Sequence, residues 1–226
     1  DRALARHLAL RDVIAASLQA APLAAILHAS GVSLGGEGVV MAAFSGSGKT
    51  TLASGLIAAG GKLISDDLLP LCANGERLAP LPFALSVKSG SWPIVGALFP
   101  ALYDSTIFGN RDLQIRYLWP GEVRAENNPV PTRLIILPRW DPQAKAETKA
   151  LSPDEAIALL IETGTRLVDG EGALAAFARF GERIPAYAIT YPDLDAGIRL
   201  VKALLAEVEG RDQSIIDMPA TAIGSG

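Results

Sequence analysis

The chain has 226 residues, 50% of them apolar, and a formal charge of −4. That length and apolar content suit one large domain or two small ones with a sizeable core. The weak acidity excludes the basic stripe of a general nucleic-acid binder and the polybasic patch of a membrane-surface protein. No run approaches the roughly 20 apolar residues that a membrane span needs, so neither nucleic acid nor membrane is an expected partner. A single cysteine, Cys72, rules out an intrachain disulfide and suits a reducing, cytoplasmic setting.

In chain order, residues 2–19 read as an amphipathic helix with Leu10, Val13, Ile14 and Leu18 on one face. A strand is expected over 26–34. The glycine-rich turn Gly35-Gly36-Glu37-Gly38 follows it, then a short buried strand over 39–44. A helix over 50–59 is closed by Gly60-Gly61, and a second short strand over 62–65 ends at Asp66-Asp67. Residues 68–71 and 77–78 are set to pair around Asn74-Gly75. From 80 to 131 seven prolines punctuate the chain, which predicts loops and short helices, including a substrate lid or acceptor region. A clear apolar strand covers 132–137. Ser152-Pro153-Asp154-Glu155 has the pattern of a capped helix start, with serine as N-cap and glutamate closing a capping box. That helix runs to about 162, and another covers 172–180. A strand over 186–190 and a helix over 193–209 complete the pattern, and 210–226 reads as a flexible tail. Interleaved helices and strands imply an α/β domain with a mainly parallel sheet.

The segment Ser45-Gly46-Ser47-Gly48-Lys49-Thr50-Thr51 stands between a predicted buried strand and a predicted helix. Such a loop aims backbone N–H groups and the positive end of a helix at one point, and its glycines allow close approach and positive φ. The lysine reaches the β- and γ-phosphates of a nucleotide, and the threonine hydroxyl binds Mg²⁺. Mg²⁺ and ATP, or a close relative, are the expected ligands. The full pattern has glycine where this chain has Ala43, which a negative φ there would accommodate.

Asp66-Asp67 closes a strand expected to lie beside the loop strand, where ligands of open α/β sheets bind. One carboxylate can hold the metal and the other can accept a proton from an attacking hydroxyl. His28 is one of two histidines; taken alone it suits a core or edge position.

His28, the loop ending in Lys49-Thr50, and Ile64-Ser65-Asp66-Asp67 together resemble the HPr kinase/phosphorylase family and its shorter relatives. The histidine precedes the lysine, and the first aspartate follows it, at the family's separations. The resemblance covers about residues 26–71; from 132 to 205 it extends only to the order of elements. It implies a P-loop kinase domain akin to the phosphoenolpyruvate carboxykinase core, over 21–209, behind an N-terminal helix at 1–20. By the same resemblance Asp66 is the base toward a serine hydroxyl, Asp67 a metal-site partner, and His28 a tuner of Asp66. The family's glycine-rich signature with its glutamate metal ligand is not found; Ser89-Gly90-Ser91-Trp92-Pro93 stands there instead. The family's large N-terminal domain is not expected within these residues. The shorter relatives fit better, some of which look like kinases acting on a serine of a precursor peptide, for example a lasso peptide. The implied partner is a peptide or protein bearing a hydroxyl, and a homo-oligomer is compatible with the resemblance.

Weaker candidates are Lys88, for phosphate or substrate, and Arg111, Arg116, Arg133 and Arg139 as charge stabilisers. Trp92, Trp119 and Trp140 could line a groove or pack at the edge of the core. The rival readings are a P-loop ATPase, a nucleotide-binding regulator and a small-molecule kinase. The loop resembles that of ABC ATPases, but their L-S-G-G-Q motif is missing, as is the N-K-x-D of GTPases.

Overall fold

The structure is a computed structural model that describes residues 9, 12–14, 16, 18, 21–81, 83–109, 113–121, 125–168 and 170–216, with backbone alone over 211–216. Of the expected N-terminal helix, the described residues 9, 12–14, 16 and 18 are helical; the rest, with His7, lie outside them. Where one strand was expected over 26–34 there are two, β1 (Leu23–Leu27) and β2 (Ala29–Leu34), broken at His28. β1 pairs toward one half of the sheet and β2 toward the other. β2 turns through Gly35-Gly36 into β3 (Glu37–Ala42). The phosphate loop and helix α1 (Lys49–Ala58) follow, then β4 (Lys62–Ser65). β5 (Leu69–Cys72) and β6 (Arg77–Leu78) pair through Leu71 and Leu78 around the expected Asn74-Gly75 turn.

Residues 80–131 hold more strand than their prolines suggested. β7 (Leu85–Lys88), β8 (Phe108–Gly109) and β9 (Gln114–Leu118) form a separate antiparallel sheet in the order β7-β9-β8. Helix α2 (Trp92–Leu98) stands between β7 and β8, with Pro93 in its first turn, where a missing N–H costs nothing. The chain continues with β10 (Val130–Trp140), β11 (Glu147–Leu151), α3 (Pro153–Glu162), β12 (Arg166–Leu167), α4 (Ala173–Arg183), β13 (Ala186–Tyr191) and α5 (Leu194–Ile216). α3 starts as expected: the Ser152 hydroxyl accepts from the Glu155 N–H at 3.2 Å while the Glu155 carboxylate accepts from the Ser152 N–H at 2.9 Å. α5 runs past the expected end at 209, and the remainder of the expected tail, 217–226, lies outside the described residues.

The main sheet is mixed, and helices cover both faces. β10 lies parallel to β3 and to β13, while the other pairings are antiparallel. Both faces of the parallel centre are buried, so neighbours such as Val40 and Met41, or Ile135 and Ile136, are all inaccessible to water. One core packs Leu52 and Leu56 of α1 and Val201 and Leu205 of α5 on Met41, Ile136 and Ile189. The opposite core packs Leu160 of α3 and Phe177 and Phe180 of α4 on Val40, Ile135 and Leu71.

β4 was expected beside the loop strand, but β2 lies between them, in the order β10-β3-β2-β4. Two antiparallel pairings in succession give β4 the same direction as β3. Its carboxyl end, with Asp66 and Asp67, therefore reaches the edge of the sheet where the phosphate loop begins. Among the described residues no helix is long and apolar enough to cross a membrane.

Candidate functional site

α1 begins without a side-chain cap. Gly48 is its N-cap residue at φ 92°, no side chain accepts from the first turn, and no acidic residue lies in that turn. A helix start normally satisfies these donors with Ser, Thr, Asp or Asn. Here no side chain caps them, and the helix dipole there favours an anion. Gly46 takes φ 91°, a conformation cheap only for glycine. Ala43 is not among the residues with positive φ, so alanine is tolerated where the motif has glycine.

Lys49 opens α1 and its ammonium donates to Asp67 Oδ1 at 2.8 Å. Thr50 follows, its hydroxyl 3.4 Å from both carboxylate oxygens of Asp66. Thr51 donates to the Ser91 hydroxyl at 2.7 Å, tying the helix start to the turn after β7. Lys88, at the end of β7, donates to the Ser45 hydroxyl and so reaches across the mouth of the loop.

The two aspartates occupy different surroundings. Asp66 is buried, its carboxylate accepting from the Ser30 hydroxyl and, at 3.0 Å, from the Ser86 N–H. Burial, then the charge of Asp67, push its carboxyl from an ordinary 3.8 up to about 6, against the opposing pull of Lys49. Asp67 is the only described non-glycine residue with positive φ, at 62°. Such strain at an aspartate is modest and recurs at functional sites. The turn points its carboxylate, about one third exposed, into a cavity of about 920 Å³. Burial raises the Asp67 carboxyl, but the Lys49 ammonium, together with His28 and Lys88, makes the net shift downward.

His28, at the break between β1 and β2, has Nδ1 2.6 Å from the carbonyl oxygen of Thr163. That carbonyl belongs to the end of α3, where helix carbonyls lack an internal partner. The contact assigns a proton to Nδ1 and turns Nε2 toward Asp67 Oδ1, 3.8 Å away. The imidazole was expected beside Asp66; the carboxylate it faces is Asp67. The two aspartates also differ in their access to the cavity. Asp67, expected as the metal-site residue, lines the cavity, whereas Asp66, expected as the base, does not. The reason is local: the reversed turn after β4 tucks the first carboxylate under Ser30 and Ser86 and presents the second.

The cavity brings together Ser45, Gly46, Gly48, Lys49, Thr50, Thr51, Asp67, His28 and Lys88. Ser47 joins the loop through its backbone, donating to Phe44 O and accepting from the Trp140 N–H, both at 3.2 Å. Arg139 is not brought in: its guanidinium is mostly exposed and pairs with Asp141 at 3.6 Å. Arg133 pairs with Glu37 at 3.0 Å. Arg116 clasps the 92–105 segment instead, stacked 5.0 Å from the Trp92 ring and donating to Tyr103 O at 2.9 Å. Arg111 lies outside the described residues. Among the described residues no group of three or more His, Cys, Asp or Glu could hold a metal ion. Thr50 with Asp66 nonetheless makes a hydroxyl–carboxylate pair suited to an oxygen-seeking ion whose remaining ligands are phosphate oxygens.

Sequence reasoning passed over Ser30, Ser86, Ser91 and Thr163. Ser30 carried a signal, since it sits two residues from His28 within the strand expected over 26–34, where that spacing puts both on one face. The others act through backbone atoms or lie in the proline-rich stretch, and no local pattern marks them.

No family model matches the chain, and no curated protein matches it. Among solved structures the chain is similar to the Hpr(Ser) kinase/phosphatase from Coxiella burnetii. The identity is 14%, the match covers 83% of this chain and 98% of that one, and the TM-score is 0.40. At that TM-score the likeness carries no argument, and the reading of the site rests on its own geometry.

Proposed function

We propose that this chain is an ATP-dependent, Mg²⁺-requiring kinase that transfers the γ-phosphate to the hydroxyl of a serine, or another alcohol, on a peptide or protein. The observation that carries the proposal is the uncapped start of α1, with the Lys49 ammonium beside it, facing a carboxylate that opens into the same cavity. A pure phosphate binder needs the first of these features and has no use for the second. The volume, about 920 Å³, lies near the upper end for ligand sites and suits a nucleotide together with an acceptor side chain.

In this proposal Gly46, Ser47, Gly48 and the first turn of α1 receive the triphosphate through backbone N–H groups. Lys49 moves from Asp67 to the β- and γ-phosphate oxygens. Thr50 and Asp66 would hold Mg²⁺, whose contribution is to neutralise charge on the phosphate oxygens. Asp67 takes the proton of the acceptor hydroxyl as its oxygen bonds to the γ-phosphorus. The bond from that phosphorus to the β–γ bridging oxygen breaks, and ADP leaves with the electron pair. His28 supports Asp67 from the Nε2 side, fixed by its bond to Thr163. Lys88, beside Ser45, brings a second ammonium to the mouth of the loop. A ribosomal precursor peptide, such as a lasso peptide, is the acceptor class proposed.

The test uses labelled ATP and Mg²⁺ with serine-containing peptides and, separately, small hydroxyl metabolites. Transfer to peptide is expected. Transfer only to metabolites would replace the acceptor class, and free phosphate alone would make the chain an ATPase. Asp67→Asn should bind nucleotide and fail to transfer; transfer at the unmodified rate would remove Asp67 from the role of base.

A further inference from the structure

Asp67 and Lys88 account for one end of the cavity, and its other end has no assigned occupant. The order β13-β10-β3-β2-β4 puts Asp66 and Asp67 on one side of the loop strand and the ends of β10 and β13 on the other. β3, β10 and β13 are parallel, so all three end at the same edge. A triphosphate whose terminal phosphorus faces Asp67 runs along the loop away from β4. Its sugar and base then arrive at the ends of β10 and β13.

Trp140 stands there as the last residue of β10. It lines the cavity with Tyr191, Pro192 and Leu194, and its side is 50% exposed despite its size. Two hydrogen bonds fix it. Nε1–H donates to Pro192 O at 3.0 Å, and the backbone N–H donates to Ser47 O at 3.2 Å. The Trp140 Cβ lies 3.4 Å from where a Cβ on Gly48 would be, so the residue borders the phosphate loop directly. An indole already oriented by its own N–H gives up little rotamer freedom when a flat ligand lands on it. The neighbouring carboxylates are committed elsewhere. Asp193 accepts from the Ala196 N–H at 2.7 Å at the start of α5, and Asp141 accepts from the Gln143 N–H at 3.0 Å.

We propose that Trp140 is the wall on which the purine base of the bound nucleotide stacks, at the joint ends of β10 and β13. This rests on the nucleotide-binding reading above. Recognition through a ring face accepts either purine, because every base has a π-face.

The test titrates the full chain calorimetrically with Mg·ATP and with Mg·tripolyphosphate, in the unmodified protein, W140A and W140F. Tripolyphosphate reports the loop alone. W140A is expected to weaken ATP binding about 5- to 100-fold and leave tripolyphosphate unchanged, while W140F retains most of the ATP affinity. Should W140A fail to fold, W140L keeps apolar bulk without a ring and is expected to show the same loss. Unchanged ATP affinity in W140A or W140L overturns the base site. So does an equal fall for both ligands, which would mean that the indole only braces the loop. If the unmodified protein binds neither ligand, the nucleotide reading itself fails and this proposal fails with it.

Discussion

Asp66→Asn should make the nucleotide-free protein more stable at alkaline pH. The substitution keeps the shape of a buried side chain and removes its charge. Asp66 has its carboxyl raised from 3.8 to about 6 by burial and by Asp67, so the native state holds the proton more tightly than the unfolded chain. The sign follows: the stability contributed by the protonated carboxyl is complete below about 3.8 and is lost as pH rises through about 6. At about 1.4 kcal/mol per tenfold change in proton affinity, the loss is roughly 3 kcal/mol. Asparagine has no proton to lose. Its amide oxygen can accept from the Ser86 N–H and its amide N–H₂ can donate to the Ser30 hydroxyl, which turns to accept. The variant should therefore match the unmodified protein near pH 4 and exceed it by roughly 3 kcal/mol at pH 8. For a chain of this size that gap corresponds to a rise of roughly 6–12 °C in Tm. Thermal melts of both proteins in chelator, at pH 4, 6 and 8, measure it. Equal stability at pH 8, or a difference that does not vary with pH, would refute the reasoning.

Lys49→Ala should weaken Mg·ATP binding about 10- to 100-fold, the cost of a charged hydrogen bond to phosphate, as read by calorimetry. Without nucleotide it should also raise the Asp67 carboxyl, because its strongest downward influence is gone; a carbon-detected NMR titration follows this. Gly48→Ala forces a side chain into φ 92° with its Cβ 2.8 Å from the Tyr191 hydroxyl. It should cost about 1–3 kcal/mol in denaturant unfolding and abolish nucleotide binding. Ser152→Ala removes the capping box of α3 and should cost about 1 kcal/mol with phosphotransfer unaltered.

The phosphate loop was legible because its chemistry is local: glycines, lysine and threonine must be adjacent in the chain to be adjacent in space. Ser152-Pro153-Asp154-Glu155 was legible for the same reason, and so was the turn at Asn74-Gly75. What depends on contacts distant in sequence was not. β2 entering between β3 and β4 is a long-range pairing, and nothing in residues 62–65 records which strand lies beside them. The different surroundings of Asp66 and Asp67 depend on the reversed turn after β4 and on Ser30 and Ser86, which adjacent identical residues cannot reveal. The strands within 80–131 were hidden because prolines read as breakers. Pro93 in fact stands in the first turn of α2, and Pro131 stands in β10, where it neighbours Arg77 of β6.

The Lys49–Asp67 ion pair at 2.8 Å bears on kinetic order. Until a polyanion draws the ammonium away, the carboxylate is neutralised by it and poorly placed to take up a proton, so a stray water in the pocket meets an idle pair. In the proposed reaction, arrival of the nucleotide exposes the group that its co-substrate needs. Such coupling imposes a compulsory sequence, donor first and acceptor second. An unreactive mimic of the acceptor would then inhibit uncompetitively with respect to the donor.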